Sequence, residues 1–275
     1  MKPDPSMIRA FGGSTVLLTG AASGIGRALA LMLSDCGATI HAIDLNGGGL
    51  ESLVGESSGG GTIHPWQVDI TDFEAYSKVV GEILKSSPEI DCLFNNAGVT
   101  LLGEAQNIPF KRWKWLMDIN LMGAINGTRL VYPGMVRRRS GHIVNTASIA
   151  GSTGYATASA YTASKAALLE FSRSLRAEAE AYGVRVSVAC PGYVNSAIFS
   201  QERIVGADRD EMIRDLPVKM MSPEEAAFGF LRGVAKGKNT IVFPFSARFL
   251  WNLSCWAPSV LGVFHKRFMR AFQLK

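Results

Sequence analysis

The sequence predicts a doubly wound α/β fold, a parallel sheet of seven strands with helices on both faces. Three observations predict it. Short β-branched runs alternate with longer helical patterns, which is the rhythm of parallel strands joined by crossover helices. The strand candidates read as near-continuous apolar runs, as strands buried on both faces do. A glycine-rich turn separates the first strand from the helix after it.

Taken in order, the strand candidates are STVLLT (14–19), ATIHAID (38–44), TIHPWQVD (62–69), DCLFNN (91–96), GHIVNTAS (141–148), VRVSVAC (184–190) and TIVF (240–243). Helices fill the gaps. Residues 25–36 carry Ile25, Leu29, Leu31, Met32 and Leu33, and residues 72–86 carry Phe73, Tyr76, Val79, Val80 and Ile83, each at helical spacing. The spans 110–138 and 158–182 are long and apolar on one side. At 222–237 a serine cap, a proline at the first helical position and Glu225 three residues after the cap give a helix start with a mechanism. Glycine clusters at 47–49 and 59–61 flank a surface connection with a short helix. The chain has 275 residues, 47% of them hydrophobic, and no composition break divides it, so residues 1–275 are read as one domain.

Charge and cysteine usage exclude several function classes. The net charge is +5, but no basic stripe interleaved with aromatics suggests a nucleic-acid partner. The run Arg137-Arg138-Arg139 reads as the solvated end of a helix before a turn at Ser140-Gly141. Cys36, Cys92, Cys190 and Cys255 lie far apart without metal-ligand spacing, so no metal site is expected and the thiols are read as reduced, in a cytoplasmic protein. The N-terminal residues have no apolar stretch of signal-peptide length, and no secretion is expected.

The chemistry begins at TGAASGIGRALA (19–30). Gly20, Gly24 and Gly26 stand between a strand and a helix, where missing Cβ atoms let backbone N–H groups approach a pyrophosphate at the positive end of the helix. Asp44 ends the second strand, placed to accept hydrogen bonds from the adenosine ribose and to repel a 2′-phosphate. Neither Leu45 after it nor Ser23 before Gly24 supplies a cation for that phosphate, so NAD is favoured over NADP. The stretch YATASAYTASK (155–165) holds two tyrosines, and only Tyr161 has a lysine four residues on. Residues i and i+4 share a helix face, so Lys165 lies beside Tyr161, where an ammonium favours the phenolate and lowers the phenol pKa. Tyr155 has Ser159 at that spacing and is read as lining the substrate pocket or packing locally.

These motifs together resemble the short-chain dehydrogenase/reductase superfamily, in its compact single-domain, Rossmann-like form. The cofactor loop is TGAASGIG (19–26), followed in family order by NNAG (95–98), MDINLMG (117–123), NTASIAG (145–151), YTASK (161–165) and CPGYVNS (190–196). The resemblance implies four catalytic residues. Tyr161 exchanges the hydroxyl proton, Ser148 holds the substrate oxygen, Lys165 supports the tyrosine, and Asn120 holds a water against the lysine. It also implies the cofactor contacts. Ser23 and Ile25 join the glycines of the loop, Asp69 accepts from the adenine amino group, and Asn96 and Gly98 line the cleft. Lys165 and Tyr161 reach the nicotinamide ribose, and Pro191, Gly192, Val194 and Ser196 form the wall beside the nicotinamide. The family usually has threonine where this chain has Ser196, so a hydroxyl is kept and a methyl lost. The implied reaction is reversible hydride transfer between NAD(H) and a secondary alcohol or ketone, in a homodimer or homotetramer joined through the long helices. A dinucleotide-binding sensor without turnover is the alternative function class.

The segment 197–221 is expected to close over the substrate as a lid. Its Ile198, Phe199, Ile204, Met212, Leu216, Met220 and Met221 suit a lipophilic ligand such as a steroid, retinoid or acyl chain, and equally suit ordinary packing. The extension 249–275 joins sixteen uncharged residues to a basic, aromatic tail. With Pro258 inside it is too short and broken to span a bilayer, and peripheral membrane contact, a dimer contact and a flap over the substrate entrance stay open.

Overall fold

The structure is a computed structural model that describes residues 1–206, 208–214, 220–257, 259, 260 and 262, with backbone alone at 211–213. Leu216, the Met212 side chain, Pro258 and the tail from 263 therefore lie outside the described residues.

The strands are β1 (Thr15–Thr19), β2 (Thr39–Asp44), β3 (Thr62–Gln67), β4 (Cys92–Asn95), β5 (His142–Thr146), β6 (Arg185–Pro191) and β7 (Thr240–Phe243). They form one parallel sheet in the order β3-β2-β1-β4-β5-β6-β7. The order reverses between β1 and β4, and such a switch point opens a crevice at the carboxyl ends of the strands. β3 departs from the continuous apolar pattern. It is an edge strand, exposed at Thr62, His64, Pro65 and Gln67, and Pro65 is tolerated there because an edge needs fewer ladder donors.

The helices are α1 (Pro5–Phe11), α2 (Gly24–Asp35), α3 (Gly47–Glu56), α4 (Phe73–Ser86), α5 (Phe110–Met117), α6 (Gly123–Arg138), α7 (Ala150–Thr153), α8 (Ser159–Glu180), α9 (Arg209–Arg214), α10 (Pro223–Ala235) and α11 (Phe245–Trp256). The capping box expected at 222–225 is formed, with Ser222 Oγ accepting from Glu225 N and Glu225 accepting from Ser222 N. α1 starts with the same device, an Asp4 cap followed by Pro5. The expected helix over 110–138 is interrupted by a π turn at Asp118–Met122. The Arg137-Arg138-Arg139 run does end α6, but it is not merely solvated. Arg138 donates to the carbonyl of Ile90, and Arg139, in the left-handed region at φ 54°, donates to that of Ala181 at 3.0 Å.

A core lies on each face of the sheet. On one face α1, α2 and α10 bury Phe11, Leu29, Leu33 and Phe230 against β1, β2 and β4, where Phe94 meets Phe230 edge-on with centroids 5.8 Å apart. On the other, α4, α6 and α8 bury Tyr76, Ile83, Val131 and Leu175 against Leu17, Leu93 and Ile143. Each fully buried large side chain of this kind contributes about 1.5–3 kcal/mol. The sheet is thus clamped from both sides, and its carboxyl edge is held rigidly enough to carry a site.

Candidate active site

A cleft of about 800 Å³ runs across the carboxyl ends of β1, β2, β4, β5 and β6. The loop after β1 enters it. Gly20 and Gly24 have φ of +71° and +53°, where side chains are disfavoured, and a Cβ on Gly26 would stand 1.8 Å from the Gly20 carbonyl oxygen. Ser23 precedes α2 but makes no side-chain cap. The positive end of α2 is therefore left open towards the cleft, which Ser23, Gly24, Ile25 and Gly26 line. This cradle fits a dinucleotide pyrophosphate.

Asp44 stands beside the loop. Its Oδ2 accepts from Ala22 N at 3.0 Å and its Oδ1 from Asn46 N at 3.0 Å, which fixes the carboxylate and leaves each oxygen a further lone pair. Asp69 lines the same end of the cleft, with Oδ1 accepting from the amide and hydroxyl of Thr71, both at 2.8 Å. Asn96 donates to the carbonyl of Thr19 at 3.2 Å and so ties the turn after β4 to the loop after β1.

Ser148, Tyr161 and Lys165 converge at the middle of the cleft. Ser148 follows β5, and Tyr161 and Lys165 stand one turn apart on α8. The Ser148 hydroxyl, which accepts from Ala150 N at 3.2 Å, lies close enough to the Tyr161 hydroxyl to favour its ionised form. Lys165 is buried, its Nζ donates to the Thr146 carbonyl at 2.8 Å, and burial lowers its pKa to about 8. The expected lowering of the Tyr161 pKa is not found. Burial raises it, the Ser148 hydroxyl opposes the rise, and the buried Cys190 thiol adds to it. The ammonium is turned to Thr146 and lies 5.9 Å from the centre of the phenol ring, which is why it does not dominate.

Asn120 sits in the π turn, fully buried. A Cβ built on Gly98 would lie 3.2 Å from both Asn120 Oδ1 and Lys165 Nζ, so the two polar atoms flank one point above Gly98. On the remaining wall, Pro191 ends β6, Gly192 N donates to the Phe243 carbonyl at 2.8 Å, and Val194 bridges to Met221. Ser196 Cβ lies 3.2 Å from where a Gly24 Cβ would stand, so this wall closes over the cofactor loop.

Sequence reading missed several cleft residues. Tyr193 pairs with Tyr155, their rings 6.1 Å apart edge to face, with burial raising both pKa values. An aromatic inside CPGYVNS, a loop already assigned to the cleft, was the available signal. Trp115 lines the cleft from α5, and Thr157 holds a left-handed φ of 66° while its carbonyl accepts from Gly103 N at 2.7 Å. Ser164 and Thr146 hold Asn120 and Lys165 from inside YTASK and NTASIAG, motif positions to which the sequence reading gave no role.

The segment after the nicotinamide wall is tied down at two places. Leu102 exchanges backbone hydrogen bonds with Arg203 and Val205 at 2.9 and 2.8 Å, and Met221 does so with Tyr193 and Asn195, both at 2.9 Å. Between the ties, Ile198 and Phe199 line the cleft and Ile204 is buried.

A fold of this order with this cleft defines a nucleotide-binding oxidoreductase, and comparison with known proteins agrees. The family model described as short chain dehydrogenase matches residues 14–204, and the chain belongs to that family. It is 33% identical to the 3-oxoacyl-[acyl-carrier-protein] reductase FabG of Thermotoga maritima, over 78% of this chain and 87% of that one. It is 35% identical to the ketoacyl reductase HetN of Nostoc, over 72% of this chain and 69% of that one. Among solved structures, a short-chain dehydrogenase/reductase from Burkholderia phymatum in complex with NAD superposes with a TM-score of 0.80 at 24% identity, covering 88% of this chain and 93% of that one. A structure from Beutenbergia cavernae holding NADP superposes with a TM-score of 0.72 at 31% identity, covering 84% and 94%.

Proposed function

We propose that the protein transfers hydride between NAD(H) and a lipophilic secondary alcohol or ketone. The observation that carries this reading is the Tyr161 hydroxyl, beside Ser148 in one cleft and one helical turn from the buried Lys165. A nicotinamide held along the Pro191–Ser196 wall supplies or accepts the hydride. In reduction the Tyr161 phenol, kept protonated by burial, gives its proton to the carbonyl oxygen; in oxidation it takes the carbinol proton as a phenolate, after passing its own proton out towards Lys165 and solvent. Ser148 donates to the substrate oxygen and orients it against the phenol. Lys165 has three N–H donors and spends one on Thr146, which leaves two for the ribose hydroxyls. Asn120 Oδ1 and Lys165 Nζ both approach the open face of Gly98, and a water bridging the two beyond that face would return the proton to the lysine.

NAD is favoured over NADP because Asp44 stands where a 2′-phosphate would lie, and no cation lines the cleft beside it among the described residues. Arg27, the nearest candidate in sequence, is engaged with Glu56 at 2.5 Å and does not line the cleft. A lipophilic substrate is supported by Leu102, Trp115, Ile149, Ile198 and Phe199 along the substrate half, with the 197–221 segment as its lid. The names of FabG and HetN favour the acyl-chain class over steroid or retinoid, whereas the Beutenbergia structure is described as a putative gluconate 5-dehydrogenase, which makes small polar alcohols the competing class.

Turnover with 3-hydroxyacyl and 3-oxoacyl thioesters, steroids, retinol and small polar alcohols, each with NAD(H) and NADP(H), tests the reading. Preference for small polar alcohols would overturn the substrate class. NADH binding with no turnover of any member would favour the sensor alternative.

A further inference from the structure

A second concavity, of about 570 Å³, lies between α10, β7 and α11 and shares no lining residue with the catalytic cleft. Arg232, Lys236, Lys238 and Arg248 line it, and no described lining residue is acidic. Arg232 is shared with Asp4, 3.4 Å away, and Arg248 Nε donates to the Val242 carbonyl at 2.8 Å. Lys236 and Lys238 are exposed and have no described ion pair, so the groove is a concentrated positive surface with two uncommitted ammonium groups.

α11 forms one wall of this groove and is divided along its length. Ala247 and Ser254 face inward, where Ser254 shares a 2.8 Å hydrogen bond with Ser152 of α7. Arg248 and Trp251 face the groove. Next round the helix, at the i, i+4, i+11 spacing of one face, stand Phe245, Phe249 and Trp256, which are 81%, 62% and 88% exposed. Arg248 is the only charged residue of the helix. Three large aromatics on one face beside a cationic groove are the two halves of an interfacial helix, in which rings enter the headgroup boundary and cations meet headgroup phosphates.

We propose that the α10–β7–α11 face docks on an anionic lipid surface, with Phe245, Phe249 and Trp256 entering the interface and Lys236 and Lys238 meeting phosphate or carboxylate headgroups. Charge selects this occupant over a second copy of the chain. A two-fold contact would bring two copies of the same net positive groove together, four uncancelled lysines in one interface, whereas an anionic surface neutralises them. The sequence past residue 262 extends the same chemistry, with Phe264, Phe268 and Phe272 among His265, Lys266, Arg267, Arg270 and Lys275. Among the described residues no helix is long and apolar enough to cross a membrane, so the contact is peripheral.

The test is co-sedimentation of the full chain with vesicles of pure phosphatidylcholine and of phosphatidylcholine with phosphatidylserine, at low and high salt. The expected result is binding to the serine-containing vesicles only, partly reversed by salt, because screening shortens electrostatic reach to about 3 Å at 1 M. Lys236→Gln with Lys238→Gln should weaken partitioning roughly thirtyfold, about fivefold for each lysine lost at an anionic surface. Phe249→Ser with Trp256→Ser should abolish the salt-resistant part. Both variants should keep turnover of a water-soluble substrate, which shows them folded. Inorganic phosphate at millimolar concentration should not displace the vesicle-bound protein, and displacement would point to a free-anion site and overturn the lipid assignment. A full chain that stays in the supernatant at low salt overturns the proposal. So does a drop in assembly mass in the aromatic variant without vesicles, which would assign the face to a second copy.

Discussion

The side chain of Asn120 brackets the backbone of Val99, with Oδ1 accepting from its N–H at 2.8 Å and Nδ2 donating to its carbonyl at 2.9 Å. The second Nδ2 hydrogen goes to Ser164 Oγ at 3.0 Å. One amide therefore ties the loop after β4, the π turn and α8 together, and a π turn at that point is the kind of local defect found at functional sites. Both amide hydrogens are spent, and the second lone pair of Oδ1 is left for the point above Gly98.

This arrangement separates structural from chemical roles. Asn120→Ala leaves the Val99 N–H and carbonyl without partners and should destabilise by about 1–3 kcal/mol as well as lower turnover. Gly98→Ala keeps every one of those bonds and adds a methyl 3.2 Å from both Asn120 Oδ1 and Lys165 Nζ. That contact is tighter than ordinary packing, so both side chains must give way by a few tenths of an ångström; turnover should fall on the order of a hundredfold, with a smaller loss of urea midpoint than in Asn120→Ala. Unchanged turnover in Gly98→Ala would remove any role for that point in proton transfer.

The two tyrosines should respond differently. Tyr161→Phe removes the proposed acid–base hydroxyl and keeps the ring, so turnover should fall roughly a hundred- to ten-thousand-fold while NAD binding survives. Tyr155→Phe keeps the edge-to-face ring contact with Tyr193 and removes only a hydroxyl lining the cleft, so it should alter KM for the substrate more than kcat. Equal losses of kcat in the two variants would reverse the assignment.

Asp44 predicts cofactor choice. Asp44→Ala should narrow the preference for NAD(H) over NADP(H), since it removes both ribose acceptors and the repulsion of a 2′-phosphate. It also frees Ala22 N and Asn46 N, so loop stability should be followed alongside by urea titration. Dissociation constants for the four cofactor forms, with parent and variant, measure it. A parent that binds NADPH at least as tightly as NADH would show the reading of Asp44 to be wrong.

The sheet was legible in the sequence because buried parallel strands have no polar face to confuse the pattern, and strand limits such as 240–243 fall where the apolar run ends. Ser148, Tyr161 and Lys165 were legible because they sit at a strand end or at i, i+4 on a helix, while Asn120 stood out only through the family resemblance. Other features were not. The break at Asp118–Met122 arises from tertiary bonds of Asn120, which leave no trace in helical periodicity. α1 spans only seven residues, too few for helical periodicity to show, and its Asp4-Pro5 start is its one sequence signal. The rise in the Tyr161 pKa depends on where Lys165 points, and i, i+4 spacing sets proximity without setting direction.

Buried histidines predict an acid limit to stability. His142 on β5 is 2% exposed, pairs through Nε2 with Ser187 Oγ at 2.8 Å, and has its pKa lowered to about 3 by burial and by Arg185. His41 on β2 is lowered to about 4 by burial and by His64. Both folded values lie below the unfolded value of about 6.5. Above that value the groups are neutral in both states and cost nothing. As pH falls through 6.5, the unfolded chain takes up protons that the folded chain refuses, so stability declines until the folded values are reached. For His142 alone the loss at pH 5 is about 2 kcal/mol, one and a half pH units at about 1.4 kcal/mol each. Urea midpoints at pH 7 and pH 5 should show the decline. In His142→Gln, where the side chain cannot titrate, the difference between the two pH values should shrink by about that amount, whatever the variant's absolute stability. An undiminished difference in His142→Gln would mean that His142 takes up its proton equally in both states and has no part in the acid limit.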